Sequence, residues 1–178
     1  DLQSLISQAG LEGRITAHNL ALSHTSGTNP MAVSEFNSGS SKLIYAPTPV
    51  SQSVQTMRLD DLTLPDPTFI KLDVEGHELK VLEGFSQALS NLKFDLIQFE
   101  RATAAGTPKL LEFFEYLKPF GYEIGKLYPN SSELYLNYNS SLEEYIGSNW
   151  IAINKKSKTF KILSKYIKEI DIPQRKIG

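Results

Sequence analysis

The stretch from Phe69 to Phe99 limits the fold more than any other part of the chain. Phe69-Ile-Lys-Leu-Asp-Val74 is a mostly apolar run of the kind that a parallel sheet buries on both faces. Behind it, Leu79, Leu82, Phe85 and Leu89 recur at a spacing that predicts a helix from about Gly76 to Leu89. Phe94–Phe99 reads as a second buried strand. Strand, helix and strand in that order make a right-handed βαβ unit, so an α/β fold is expected, with helices on both faces of a sheet. Ligands in such sheets sit beyond the carboxyl ends of the strands, which directs attention to the residues just past Val74 and Phe99.

The flanking segments are read against that unit. Leu2, Leu5, Ile6 and Ala9 have helical spacing, stopped by Gly10 and Gly13. Arg14–Leu22 is strand-like, Met31–Phe36 and Lys42–Ala46 are short strand candidates, and Val54–Arg58 is another. The polar stretches Thr25–Asn29 and Asn37-Ser-Gly-Ser-Ser41 read as surface connection, and Pro65-Asp-Pro67 as a turn. Thr107-Pro108 is an N-cap followed by a first-turn proline, opening a helix with Leu110, Leu111, Phe114 and Leu117 inward that Gly121 ends. Strands are expected at Tyr122–Leu127 and Trp150–Asn154. Ser157–Asp171 reads as an amphipathic helix with Phe160, Leu163, Ile167 and Ile170 on one face and solvated lysines opposite. The expected organisation is one domain over residues 1–155 and a C-terminal basic helix over 156–178.

Composition removes several functions. Eighteen basic side chains against twenty acidic ones leave a net charge of −2, which argues against a nucleic-acid footprint. The absence of cysteine removes disulfides, a thiolate zinc site and a cysteine nucleophile together. The longest apolar runs, Leu43–Ala46 and Trp150–Ile153, are four residues, far short of a membrane span. No export signal is visible, so a cytoplasmic protein is expected, and Asn130-Ser-Ser132 and Asn139-Ser-Ser141 read as chance sequons.

What carries chemistry is the run Asp73-Val-Glu75-Gly-His77-Glu78 after the first strand and Glu100-Arg101 after the second. Neighbouring strands lie about 4.8 Å apart, so Asp73, Glu75 and Glu100 are expected to converge on one rim of a largely parallel sheet. Gly76 permits a tight turn or a close backbone approach to a ligand. Glu78 reads as an acidic cap on an ordinary helix. His77 has a side chain that titrates near working pH, and reads equally as a general base or as an exposed helix-start residue. His18 and His24 show no metal-ligand spacing and read as surface residues.

Leu59-Asp-Asp-Leu62 followed by Phe69-Ile-Lys-Leu-Asp-Val-Glu-Gly-His-Glu-Leu-Lys-Val-Leu-Glu-Gly84 closely resembles the signature of FkbM-type S-adenosylmethionine-dependent methyltransferases. Asn19-Leu-Ala-Leu-Ser23, Phe94-Asp-Leu-Ile-Gln-Phe-Glu100 and Asn149-Trp-Ile-Ala-Ile-Asn154 extend the resemblance from about Ile15 to Asn154. It implies a Rossmann-like class I methyltransferase sheet of order 3-2-1-4-5-7-6, S-adenosylmethionine as cofactor, and O-methylation of a sugar, glycolipid or natural-product hydroxyl. It also implies roles: Glu75 as base or substrate orienter with His77 as its rival, Glu100 orienting substrate, and Asp73, Gly76, Asn19 and Ala21 at the cofactor. In that order Leu2–Ala9 corresponds to the helix after strand two, Ile15–Leu22 to strand three and Phe69–Val74 to strand four. The chain starts at Asp1, and no glycine-rich turn after a strand precedes Ile15. The sheet is therefore expected to be incomplete at its N-terminus, with weak cofactor binding by these residues alone.

Two other readings stay open on the sequence. Asp73-Val-Glu75 resembles the acidic motif with which metal-dependent glycosyltransferases hold a divalent ion and a nucleotide sugar. A non-catalytic interaction module that keeps the fold is the second.

Overall fold

The computed structural model describes residues 1–33, 41–44, 47–49, 51–64, 67–101, 106–128, 131–144 and 149–171. Parts of five expected features lie outside them: residues 34–36 and 45–46 of the early strand candidates, 37–40 of the polar stretch, 65–66 of the proline turn, Asn130 of the first sequon, and residues 172–178 of the basic segment.

Helix α1 (Leu2–Gln8) opens the chain, capped by the Asp1 carboxylate, which accepts from the Ser4 N–H at 2.8 Å. Four strands then form a small sheet in the order β1-β4-β2-β3: β1 (Ala21–Leu22), β2 (Gly27–Ala32), β3 (Lys42–Leu43) and β4 (Ser51–Met57). The strand expected over Arg14–Leu22 thus shrinks to two residues, and it pairs with β4 rather than joining the larger sheet.

The second sheet holds β5 (Phe69–Leu72), β6 (Leu96–Glu100), β7 (Tyr122–Tyr128), β8 (Ser131–Tyr135), β9 (Asn149–Asn154) and β10 (Ile167–Ile170) in the order β10-β8-β7-β9-β6-β5. Only β5–β6 and β8–β10 pair in parallel; β9 and β7 run against their neighbours, so the sheet is mixed and not largely parallel. Side chains alternate across it. Ile97, Phe99, Trp150, Ala152 and Ile124 face the main core beneath α2 (Glu78–Glu83), α3 (Ser86–Ser90) and α4 (Leu110–Leu117). Leu134, Ile151 and Ile153 face the other way, against Phe160 and Leu163 of α5 (Lys158–Leu163). Helices therefore cover both faces. β5 lies at the sheet edge with Phe69 half exposed and Lys71 exposed, so it is buried on one face and not on both.

Three expected helices change. The one over Gly76–Leu89 breaks into α2 and α3 at Gly84. The Ser23 carbonyl packs against Gly84, where a Cβ would stand 2.0 Å from it. The Asp60 carboxylate then caps α3 by accepting from the Gln87 and Ala88 N–H groups at 2.9 and 3.1 Å. That accounts for Leu59-Asp-Asp-Leu62: Leu59 is core, Asp60 caps α3 and Asp61 accepts from the Ser26 hydroxyl at 2.6 Å. Helix α4 starts at Leu110, not beside Pro108, because the Glu143 carboxylate accepts from the Leu110 and Leu111 N–H groups. The basic helix stops at Leu163, and Ile167–Ile170 form β10 beside β8. Its apolar residues do pack inward, but half of them do so from a strand.

Candidate active site

The chain leaves β5 at Leu72 and turns into α2 through Asp73-Val74-Glu75-Gly76-His77. Glu75 and Gly76 both take left-handed backbone conformations, with φ of 56° and 95°. For a glutamate that conformation costs on the order of 1 kcal/mol and needs support from its surroundings. Glu78 supplies it. Its side chain is buried, and Oε1 accepts from the Val74 N–H at 3.1 Å and the Gly76 N–H at 3.2 Å. Burial pushes the Glu78 carboxyl up, against the opposing pull of those backbone donors. Glu78 is therefore the internal brace of the turn rather than a surface cap.

On the rim, the β5–β6 register pairs Leu72 with Phe99, which sets Asp73 beside Glu100 as the next residues along the two strands. The Lys71 ammonium, 2.7 Å from Asp73 Oδ2, holds the Asp73 carboxyl below its usual range. Glu100 is displaced upward, first by desolvation and then by the charges of Asp73, Glu75 and Glu78. The expected convergence of Asp73, Glu75 and Glu100 is present, and the two facing carboxyls are driven apart in acidity.

Beside this rim opens a cleft of about 570 Å³. Glu75, Gly76 and His77 form one wall, Lys42, Leu43 and Ile44 another, and Gly106, Thr107 and Pro108 a third. His77 is half buried at the start of α2, and its Nε2 lies 2.9 Å from Ser23 Oγ. Burial, followed by the nearby charges of His24 and Lys80, pushes the His77 imidazole below its ordinary value, which favours the neutral ring. His77 is thus not the exposed helix-start residue of one reading. Asn19 precedes β1 and is exposed, and Ala21 pairs with Thr56; neither is among the described residues of the cleft.

Two features are missing from the sequence reading. Ser23, buried just past β1, touches both His77 and His24, so His24 is a partnered residue although it is exposed. Its only sequence signal is its place at the end of Asn19-Leu-Ala-Leu-Ser23. Arg101, buried directly after Glu100, donates to Glu143 Oε2 and to the Glu143 carbonyl, both at 2.9 Å. The same Glu143 caps α4, which fixes the approach to the third wall of the cleft. Among the described residues, no three His, Cys, Asp or Glu side chains are placed to hold a metal ion together. No described helix is long and apolar enough to cross a membrane.

The crystal structure of methyltransferase FkbM from Methylobacillus flagellatus KT superposes with a TM-score of 0.53 at 19% identity, over 85% of this chain and 32% of that one. That likeness concerns the fold. The hexuronic acid methyltransferase AglP of Haloferax volcanii is 38% identical over 52 residues, which is 27% of this chain and 22% of that protein. The chain thus spans about a fifth of the curated relative and a third of the solved one. Residues 3–124 match the methyltransferase FkbM domain, more than half of the sequence, and the chain belongs to that family.

Proposed function

We propose that this chain forms the acceptor side of an S-adenosylmethionine-dependent O-methyltransferase acting on a sugar or related small-molecule hydroxyl. The observation that carries the reading is His77, a half-buried imidazole lining a cleft beside a carboxylate rim at the carboxyl end of β5. Family membership supports methyl transfer, and the name of AglP supports a hexuronic acid among acceptors to try. The neighbour order β5-β6-β9-β7, with β9 reversed, agrees with the 4-5-7-6 half of the expected sheet. Cytoplasmic action is part of the same reading.

The donor set fits the cationic part of the cofactor. Asp73 and Glu100 offer adjacent carboxylates to a sulfonium or ammonium group, and Gly76 keeps the backbone open beside them. Asn19 and Ala21, on the β1 segment, are proposed for the adenosine end. When bound, S-adenosylmethionine supplies a methyl group on positively charged sulfur. The protein's own contribution is then positional. Glu75, exposed over the turn that Glu78 braces, orients the acceptor hydroxyl. His77 accepts its proton, because an alcohol is a weak nucleophile until the proton has somewhere to go. Glu75 as the base is the competing assignment. The geometry favours His77, which is anchored on its far side by Ser23.

The test is direct. Full-length protein, S-adenosylmethionine carrying a deuterated methyl group, and methyl β-glucuronide are incubated, and products are read by mass spectrometry. A labelled methyl ether in the acceptor is expected. No transfer to that acceptor or to a panel of hexoses would overturn the reading.

A further inference from the structure

Ser23 Oγ sits between two histidines, 2.9 Å from His77 Nε2 and 3.2 Å from His24 Nδ1. A hydroxyl has one proton, so it donates to one ring and must accept an N–H from the other. The three groups therefore form a directed chain in either of two senses. One end, His77, lines the cleft; the middle, Ser23, is 3% exposed; the other end, His24, is exposed. A buried hydroxyl joining an imidazole in a cleft to an imidazole in solvent is the layout of a proton wire.

We propose that His77, Ser23 and His24 form a relay that carries the proton lost by the methyl acceptor from the cleft to bulk water. The inference rests on the methyl-transfer reading above. In the step, the acceptor oxygen forms a bond to the methyl carbon while the carbon–sulfur bond breaks, its electron pair staying on sulfur. The hydroxyl proton goes to Nδ1 of His77, the ring nitrogen that Ser23 does not hold. The proton on His77 Nε2 passes to Ser23 Oγ as the Ser23 proton passes to His24 Nδ1, and His24 releases a proton to water. Hydroxyl and methyl sulfonium thus give ether, neutral thioether and one proton. His77 is the catalytic residue of the three, and Ser23 and His24 act through it.

The charged groups facing His77 are His24 beyond β1, Glu75 in the turn, Lys80 and Glu83 on α2, and Lys42 and Glu112 across the cleft. Two of these favour the neutral ring, because positive charge on His24 or Lys80 repels imidazolium, while Glu83 opposes them. Replacing His24 by glutamine removes one repulsion and cuts the wire at an exposed site, where folding is not at stake.

Nitrogen-15 NMR on the full-length protein without ligand reads the ring states directly. In the wild type, His77 should carry its proton on Nε2, and the two rings should be coupled by hydrogen bonds through Ser23. His24→Gln should raise the His77 midpoint, and Ser23→Ala should mix the His77 tautomers. Turnover with S-adenosylmethionine and methyl β-glucuronide should fall about 10- to 100-fold in kcat for both variants below neutral pH, with KM within about twofold. An unchanged His77 tautomer and midpoint in both variants would overturn the relay whatever the turnover. Intact ring coupling in a wild-type protein that transfers no methyl group would instead overturn the methyl-transfer reading.

Discussion

Glu78 holds Gly76 from the inside of the turn: its buried carboxylate accepts the Gly76 N–H at 3.2 Å and, two residues further upstream, the Val74 N–H at 3.1 Å. The conformation that presents Glu75 and His77 to the cleft therefore depends on a side chain that never reaches it. Glu78→Ala should leave two turn N–H groups without their acceptor and cost about 2–3 kcal/mol in unfolding free energy. Because the brace is lost as well, kcat should fall along with it. Glu78→Gln keeps an acceptor oxygen and should cost less than 1 kcal/mol by the same accounting. An alanine variant of wild-type stability would show that the turn holds itself.

The same residue fixes a pH dependence. The native Glu78 carboxyl is displaced upward by burial, so the folded state takes up its proton more readily than the unfolded chain does. Its contribution to stability is present below the unfolded value and is lost as pH rises through the folded one. Over that window Glu78→Gln should show a flatter melting temperature against pH than the wild type. Parallel curves would count against the displacement.

Gly84 is where α2 meets the end of β1. An added Cβ would stand 2.0 Å from the Ser23 carbonyl oxygen, which is backbone and cannot swing away. Gly84→Ala should destabilise by about 1–3 kcal/mol. It should also displace Ser23 from His77, so the His77 titration should move in the same variant. Thermal melts and the imidazole resonances check both halves.

The sequence carried β5, α2 and β6 because their apolar content and spacing are strong within about thirty residues of chain. The break at Gly84 was not legible, since it is imposed by Ser23 and Asp60, which lie far upstream of it. Phe160, Leu163, Ile167 and Ile170 have helical spacing, yet only the first two are helical; pairing with β8 outweighs periodicity for the rest. The rim of Asp73, Glu75 and Glu100 could be placed from strand ends alone. Ser23 with His77, and Arg101 with Glu143, are 54 and 42 residues apart, and no local pattern announces them.

Glu143 anchors the far wall of the cleft. It binds the Arg101 guanidinium, accepts from two α4 N–H groups and takes the Tyr138 hydroxyl at 3.0 Å. Glu143→Ala removes the carboxylate from a buried arginine and the cap from a helix at one stroke. The expected loss is about 3 kcal/mol, near the lower end for breaking a buried pair because Glu143 itself is partly exposed. Glu143→Gln keeps one acceptor oxygen, so it should recover one of the two cap bonds but not the charge, and should fall between. Chemical denaturation of the three proteins orders them.

The facing carboxyls Asp73 and Glu100 should couple cofactor binding to pH. Lys71 keeps Asp73 ionised to lower pH than an ordinary aspartate, while desolvation and the Asp73 charge keep Glu100 protonated to higher pH than an ordinary glutamate. A cationic ligand prefers both groups charged. Its affinity should therefore rise as pH climbs through the elevated Glu100 midpoint and level off above it. Asp73→Asn removes the neighbouring negative charge, so Glu100 should ionise more easily and the rise should move to lower pH. The plateau should also be weaker, because one carboxylate is gone. Lys71→Met should act oppositely on Asp73, releasing its carboxyl upward and leaving less negative charge at acidic pH. Titration calorimetry of the full-length protein with S-adenosylmethionine at a series of pH values measures all three curves, and carboxyl carbon-13 shifts report the Glu100 midpoint independently. A wild-type affinity that is flat across the range, with the Glu100 midpoint unmoved by Asp73→Asn, would mean that the two carboxyls do not share the ligand's charge.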